Sequence, residues 1–247
     1  MVQFLYLKKH FAKKPINIHG RMSLNKKDVL VRFRDSGVIP VFYHSDMDVL
    51  LRIVSICYES GLRVFEFMHQ RDNRGLRFFA HLIDQIDQYP GIALGVGTVL
   101  DATMTERYIN AGAQFIASPF LRPDMGRVCD ERHVLWMPGC ATVEEVDRAV
   151  EMNTAAISVL PGNILGHEFI APISRRYPDL ALLPSGISDL RESSLAKWFE
   201  SGALAIKIGN QIFTKENLSA GGWTNIAHDL KELLKRVKHI QTMVHPN

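Results

Sequence analysis

The stretch Gly202–Asn210, with the sequence GALAIKIGN, shows in one unit how this chain is built. A glycine of the kind that ends a helix leads almost directly into an alternating apolar run, which closes on a second glycine and an asparagine. A helix-ending glycine also precedes an apolar run at Gly61 and at Gly112. Short β-rich runs alternating with amphipathic stretches of helical period indicate a parallel sheet wrapped by helices.

Eight such runs are predicted to be strands. They cover residues 38–43, 63–68, 92–99, 115–120, 134–139, 155–161, 181–187 and 204–210. Eight β/α units in about 220 residues favour an α/β fold of the (β/α)8 TIM-barrel type in a single domain. A doubly wound nucleotide-binding sheet is disfavoured, because the turn Gly95-Val96-Gly97-Thr98 lacks the third glycine of the dinucleotide fingerprint.

Helix boundaries are predicted from capping signals. Ser45-x-x-Asp48 and Thr142-x-x-Glu145 have the pattern of capping boxes. A final amphipathic helix is predicted through about His239, with five apolar residues facing the barrel. Those residues are Ile226, Leu230, Leu233, Leu234 and Val237.

The composition is that of a globular protein. The chain has 247 residues, of which 47% are hydrophobic and 22% charged, and this excludes a disordered or coiled-coil chain. Seven cations and no acid fall within residues 1–27, so residues 1–22 are predicted to be a basic extension. Residues 23–247 are then the barrel domain with its C-terminal helix.

Several partners and compartments are disfavoured by the sequence. No nucleic-acid recognition motif accompanies the basic segment, and no apolar run is long enough to span a membrane. Three cysteines without C-x-x-C spacing favour a reduced compartment, so a cytoplasmic protein is expected. Cys140 is interpreted as a small buried side chain rather than a nucleophile. Neither a metal site nor an organic cofactor is predicted.

Two charged residues interrupt strands that otherwise consist of core residues. Glu66 lies between Phe65 and Phe67, and Lys207 lies between Ile206 and Ile208. Strand alternation places the isoleucines toward the helices and the two charges toward the barrel interior. A charge in such a place needs a partner. One interpretation is purely structural: Glu66 and Lys207 form an ion pair with each other.

The same burial supports a catalytic interpretation. Desolvation favours the neutral amine of a lysine, which can attack a ketone, and a neighbouring carboxylate can move protons. Ser158 is also predicted to face inward, because Ile157 and Val159 on either side of it point toward the helices. Glu66 and Lys207 are therefore the candidate catalytic residues.

An ordered set of motifs carries a family resemblance over roughly residues 23–215. The set comprises Gly37-Val38-Ile39-Pro40-Val41, Phe65-Glu66-Phe67, Gly95-Val96-Gly97-Thr98-Val99, Gly112-Ala113-Gln114-Phe115-Ile116, Ser118-Pro119, Pro138-Gly139-Cys140-Ala141-Thr142, Leu160-Pro161-Gly162-Asn163 and Pro184-Ser185-Gly186. Together they resemble the 2-keto-3-deoxy-6-phosphogluconate and 4-hydroxy-2-oxoglutarate aldolases. The resemblance implies a (β/α)8 barrel, usually a trimer, that cleaves a 2-keto-4-hydroxy acid to pyruvate and an aldehyde through a Schiff base.

The resemblance also assigns roles to single residues. It implies that Glu66 moves protons and that Thr98 and Pro119 meet the substrate. The family's Schiff-base lysine stands in a motif like Lys-x-Phe-Pro, and this chain has Ser158-Val159-Leu160-Pro161 there. Ser158 cannot form an imine, and Ser158 and Leu160 are left as candidate substrate contacts.

Two further subsites are implied by the resemblance. The carboxylate-binding arginine is assigned to Arg74, with Arg71 as the fallback. Phosphate is bound in the family by glycine-rich ends of the seventh and eighth strands, where this chain has Ser185-Gly186-Ile187 and Lys207-Ile208-Gly209-Asn210. Ser185, Gly186, Gly209 and Asn210 are the candidate contacts there, while Ile187 adds a side chain where close backbone approach is needed.

Lys207 occupies the position of the first glycine of the eighth strand, and three roles for it remain open. It is a relocated Schiff-base amine, an anion ligand, or only the partner of Glu66. The leading prediction is an aldolase-type lyase acting on a 2-keto-3-deoxy sugar acid, its phosphate, or 4-hydroxy-2-oxoglutarate, and the expected assembly is a homotrimer. The alternative is a catalytically silent barrel that binds a keto acid or a sugar phosphate.

Overall fold

The computed structural model describes residues 24–70, 74–219 and 222–244. The predicted basic extension, residues 1–22, lies outside these ranges, as does Arg71. Within them, strands and helices alternate along the chain as predicted.

Nine strands lie within the described residues. They are β1 Val38–Phe42, β2 Val64–Met68, β3 Ala93–Gly97, β4 Phe115–Ala117, β5 Leu135–Met137, β6 Gly139–Cys140, β7 Ala156–Val159, β8 Ala181–Pro184 and β9 Ile206–Ile208. Each of the eight predicted strand segments contains at least one of them. The fifth predicted strand is divided at Pro138 into β5 and β6.

In the same described part of the chain, ten α-helices separate or flank these strands. They are α1 Lys26–Ser36, α2 Met47–Glu59, α3 Arg74–Asp84, α4 Ala102–Asn110, α5 Pro123–Glu131, α6 Val143–Glu151, α7 Gly162–Arg176, α8 Glu192–Glu200, α9 Lys215–Leu218 and α10 Trp223–Val244. A 3-10 turn at Ile86–Gln88 follows α3. The last helix extends five residues beyond the predicted end at His239, and Leu234 on it is only partly buried.

Side-chain caps fix several helix starts. Thr142 caps α6 in the predicted box with Glu145. The predicted box at Ser45 is wrong, because the Asp46 side chain accepts the Asp48 N–H and takes the cap of α2. At the other ends, Gly61, Gly112 and Gly202 have the positive φ angles of residues that leave a helix in the left-handed region.

The fold is α/β with a curled, parallel sheet. Six strands are ordered β5-β4-β3-β2-β1-β9, and three more are ordered β6-β7-β8, with every assigned pair parallel. The two sheets are linked at both sides. The Gly139 N–H donates to Ser118 O at 2.8 Å beside β4, and Ser185 bridges to Lys207 between β8 and β9.

Alternate strand residues enter two separate apolar clusters. The outer cluster, between sheet and helices, contains Phe65, Phe67, Ile157, Val159, Ile206 and Ile208, which confirms the predicted outward side chains. The inner cluster contains the residues that begin most strands. They include Val64, Ala93, Phe115, Leu135, Ala156 and Ala181. Leu204, predicted to face the helices, packs against this inner cluster instead.

Helix α1 closes the inner cluster at the amino ends of the strands. Val29 and Phe33 on this helix are fully buried among the inner residues. The rings of Phe33 and Phe115 meet edge to face, with centroids 5.2 Å apart. One end of the curled sheet is thus filled by apolar side chains, and polar chemistry is confined to the middle and the opposite end.

Phe33→Ala is expected to destabilise the protein by about 3 to 5 kcal/mol, because it leaves a cavity where an aromatic ring plugs the sheet. The measurement is the free energy of unfolding in a denaturant titration. Phe120→Ala is the matched control, since the Phe120 side chain is 43% exposed and its loss opens no cavity. Equal effects of the two substitutions would show that α1 does not seal the sheet.

Candidate active site

Three polar side chains lie in the interior of the sheet, at the middle of their strands. Glu66 on β2, Ser158 on β7 and Lys207 on β9 are 3%, 3% and 5% exposed. The strand neighbours of each point into the outer cluster, so the alternation of the strand turns these three inward. The predicted inward direction of all three is confirmed.

The three side chains meet at the amine of Lys207. Lys207 Nζ lies 2.7 Å from Glu66 Oε2 and donates a hydrogen bond to Ser158 Oγ at 3.1 Å. The contact with Glu66 is an ion pair without the alignment of a good hydrogen bond. The predicted partnership of Glu66 with Lys207 is therefore present, and Ser158 contacts the same amine.

Glycine makes room for the carboxylate. A Cβ at Gly97 on β3 would stand 1.9 Å from Glu66 Oε1, so any larger residue there would displace the carboxylate. The space that a side chain at Gly95 would need is filled by the Phe115 ring, since a Cβ there would stand 2.3 Å from it. The two glycines of the β3 segment Gly95-Val96-Gly97 thus serve packing beside Glu66.

Most of the remaining candidate residues lie where the strands end. Because the strands are parallel, their carboxyl ends meet at one edge of the sheet. The first or second positions after β3, β4, β7, β8 and β9 hold Thr98, Pro119, Leu160, Ser185 with Gly186, and Gly209 with Asn210. Thr98 is exposed there and has a φ of 60°, an uncommon conformation for a residue other than glycine.

The arginine candidates are less well placed by the structure. Arg74 is the first residue of α3 and is exposed. Arg71, the fallback, falls outside the described ranges. The expectation about Ile187 needs correction, because its side chain is 2% exposed and packs into the outer cluster instead of filling the strand edge.

Two polar contacts at this edge were not predicted. His69, which follows β2, shares a hydrogen bond of 2.8 Å between its Nδ1 and the hydroxyl of buried Tyr108 on α4. Gln211, after β9, binds main-chain groups at the ends of two strands. The sequence does not signal either contact. The partner of His69 is 39 residues away along the chain, and the partners of Gln211 are main-chain groups, which leave no pattern in the sequence.

The cysteines do not take part in this site. Cys57, Cys129 and Cys140 are buried free thiols. Burial raises the pKa of Cys140 to about 12, and that of Cys129 likewise to about 12. In the described part of the chain, no group of three or more His, Cys, Asp or Glu side chains is placed to hold a metal ion.

Comparison with known proteins gives this arrangement a context. The family model described as "Aldolase: KDPG and KHG aldolase" matches residues 29–228. This chain belongs to the KDPG and KHG aldolase family.

Individual relatives are distant in sequence. A 2-dehydro-3-deoxy-phosphogluconate aldolase of Haemophilus influenzae is 21% identical over 220 residues, which span 88% of this chain and 100% of that protein. One of Treponema pallidum is 26% identical over 136 residues, covering 55% of this chain and 64%, under two thirds, of that protein.

A solved structure shares the fold. The KDPG aldolase from Legionella pneumophila, with pyruvate captured as a covalent carbinolamine, superimposes with a TM-score of 0.72 at 20% identity. The match covers 83% of this chain and 97% of that one. Within the described residues, no helix is both long and apolar enough to cross a membrane.

The three inward polar residues Glu66, Ser158 and Lys207 are called the buried triad here. A buried ion pair is held by mutual attraction that offsets the loss of hydration of both charges, so removing one partner is far more costly than removing both. The stability of the protein is therefore expected to depend on the pair as a unit.

Lys207→Met is expected to cost about 3 to 5 kcal/mol of stability, because Glu66 is left charged and unpaired. Adding Glu66→Gln should restore most of that loss, and denaturant titration of the single and double variants measures both. Lys235→Met is the control, since it breaks an exposed ion pair with Glu232 at 2.6 Å and should cost about 0 to 1 kcal/mol. Strictly additive single and double effects would contradict the interpretation as a coupled pair.

The three thiols are expected to be unreactive in the native protein. Their burial keeps them protonated at mildly alkaline pH and also blocks access, so Ellman's reagent should label none of them before unfolding. In denaturant, all three cysteines of the chain should react. Labelling of native Cys140 at the rate of a free thiol would overturn its assignment as a packing residue.

Proposed function

We propose that this protein is a class I aldolase that cleaves a 2-keto-4-hydroxy acid to pyruvate and an aldehyde, with Lys207 as the Schiff-base amine. The observation that carries the proposal is the 2.7 Å contact between Lys207 Nζ and Glu66 Oε2 inside the sheet. Family membership supports the reaction type, and the position of the amine supports the choice of lysine.

The first step is imine formation, and it needs a neutral amine. The Lys207 ammonium passes a proton to the Glu66 carboxylate that touches it, and the free amine then attacks the substrate ketone. Glu66 then returns that proton to the hydroxyl of the carbinolamine, which leaves as water; the products are a protonated imine and a Glu66 carboxylate. Ser158 holds the amine by the 3.1 Å hydrogen bond and so limits the directions from which it can attack.

The second step is cleavage of the bond between the third and fourth carbons of the substrate. A carboxylate at Glu66 accepts the proton of the fourth-carbon hydroxyl as the aldehyde leaves. The bonding electron pair moves into the protonated imine, which becomes a neutral enamine. Return of the proton to the third carbon, followed by hydrolysis, releases pyruvate and regenerates Lys207. No external oxidant or reductant is consumed.

The residues at the carboxyl ends of the strands provide the substrate contacts in this proposal. Arg74, or Arg71 as the alternative, binds the keto-acid carboxylate, as the fork of a guanidinium suits a carboxylate. Thr98, Pro119 and Leu160 border the reacting carbons. The group at Ser185, Gly186, Gly209 and Asn210 faces the aldehyde half.

The architecture and assembly are proposed to match the family. A closed eight-stranded barrel is supported by the bridge between Ser185 and Lys207 and by the hydrogen bond of 2.9 Å from the Leu204 N–H to Leu182 O, which join β8 to β9 and the segment before it. A homotrimer and a cytoplasmic location are proposed with it, as are the basic extension at residues 1–22 and the single barrel domain at residues 23–247.

A second candidate function is favoured by one observation. The Glu66 and Lys207 side chains are only 4% and 5% exposed, and the amine already has two partners. A protein in which this pair serves only stability would bind a keto acid or a sugar phosphate at the strand ends without cleaving it. The two functions differ in whether the amine becomes covalently bonded to pyruvate.

Borohydride reduction in the presence of pyruvate is expected to add one reduced pyruvyl group to the native chain, because borohydride traps an imine irreversibly. Intact mass gives the stoichiometry, and peptide mapping is expected to place the group on Lys207. Lys207→Met should give no adduct. Lys215→Met, which removes an exposed lysine on α9, is the control and should label like the wild type.

The position of the amine is tested by a double substitution. Ser158→Lys combined with Lys207→Gly moves the lysine to the strand where the family carries it and is expected to restore trapping. An adduct at any lysine other than Lys207 in the wild type would overturn the assignment. No adduct, with pyruvate still raising the melting temperature, would leave the binding function.

A further inference from the structure

The ends of β8 and β9 are joined by one side-chain amide. Gln211 Oε1 accepts a hydrogen bond from the Gly209 N–H at 2.7 Å, and Gln211 Nε2 donates to Ile187 O. The carboxamide therefore spans the gap between the two strand ends, two positions beyond the Ser185–Lys207 bridge on each strand. Both its donor and its acceptor are used by main-chain groups.

A gap of this kind is a common anion site in β/α barrels. Main-chain N–H groups at the ends of the last two strands point toward the substrate and bind its phosphate. Here the Gly209 N–H is already satisfied by an acceptor on the same chain, two residues away. A phosphate oxygen would have to displace that carboxamide before it could bind the same N–H, and the Ile187 carbonyl beside it is an acceptor that repels an anion.

The charges near this gap are also balanced. In residues 185–191 and 209–214, the only charged side chains are Asp189 and Arg191. They form an ion pair at 2.7 Å with further hydrogen bonds, and the Arg191 guanidinium lowers the pKa of Asp189 to about 2. Outside these two loops, Lys207 is paired with Glu66, and Lys215 is exposed on α9. Arg236 on α10 donates a hydrogen bond to Leu190 O at 3.4 Å. The two loops thus offer no uncompensated cation to a phosphate dianion.

We infer that Gln211 is a specificity-determining residue that fills the phosphate position between β8 and β9, so that the substrate is an unphosphorylated 2-keto-4-hydroxy acid. This inference rests on the proposed aldolase function and adds the substrate class to it. Among such acids, a 2-keto-3-deoxy sugar acid has an aldehyde half that ends in hydroxyl groups, which can exchange hydrogen bonds with the Gln211 carboxamide without breaking the bridge.

The test compares 2-keto-3-deoxygluconate with its 6-phosphate, two compounds that differ only in the phosphate. The wild type is expected to cleave the unphosphorylated compound with at least about tenfold higher kcat/KM, the effect of one charge-assisted hydrogen bond. Gln211→Ala should move this ratio toward the phosphate by about tenfold, since it frees the Gly209 N–H. Gln211→Glu should move it the other way, because it adds a negative charge.

A matched control and a binding readout complete the test. Gln88→Ala, which removes an exposed glutamine side chain from the 3-10 turn after α3, should leave the ratio unchanged. Inorganic phosphate is expected to raise the melting temperature of Gln211→Ala but not of the wild type. This readout does not depend on catalysis.

The outcomes separate this inference from the proposed function. The role of Gln211 would be overturned if the wild type preferred the 6-phosphate, or if phosphate stabilised the wild type saturably. Pyruvate trapping would still support the aldolase in that case. Absence of trapping would overturn the aldolase, and the phosphate-dependent melting temperatures of wild type and Gln211→Ala would still decide whether the carboxamide blocks an anion.

Discussion

The buried contact between Lys207 and Glu66 constrains the surrounding interior. Two opposite charges can lie inside a sheet only if each is close to the other and if little else competes for the space. Gly97 meets this condition for the carboxylate, because Glu66 Oε1 lies in the space that a side chain at position 97 would fill. Ser158 meets it for the amine by accepting a hydrogen bond. Larger apolar residues at either position would leave a charge without its partner.

The apolar side chains at the amino end of the interior shield the buried polar residues from water. Phe33 from α1 and Phe115 from β4 fill the amino end of the sheet, so water cannot reach the ion pair from below. The strands are oriented by the outer cluster, where isoleucine, valine and phenylalanine pack against the helices. Because that packing fixes the pleat, it also fixes which residues face inward. The position of Lys207 is thus a consequence of Ile206 and Ile208 being buried outside.

Sequence reasoning succeeded where a local pattern has one physical meaning. Alternating apolar residues on β7 and β9 predicted that Ser158 and Lys207 face inward, since a strand has a period of two. It failed where neighbours compete or where contacts cross the fold. Ser45 and Asp46 are both good helix caps, and only the structure shows that Asp46 takes the position. The contact of Gln211 with Ile187 O joins positions that come together only when β8 and β9 lie side by side.

The chemistry of an imine explains how, in the proposed aldolase, an amine on β9 serves a reaction for which the resemblance implies a lysine on another strand. The amine must reach the ketone carbon, and the base must reach the hydroxyl proton, but neither requirement depends on which strand carries the group. Residues at the same depth of a curled sheet face a common interior, and Lys207 touches Ser158, the residue to which the resemblance assigns the position of the family's lysine. Moving the amine changes its direction of approach relative to Glu66, so the substrate must turn with it. Its far end is then presented to β8 and β9 at a different angle, and an amide bridge between those strands is compatible with a tail that has no phosphate to anchor.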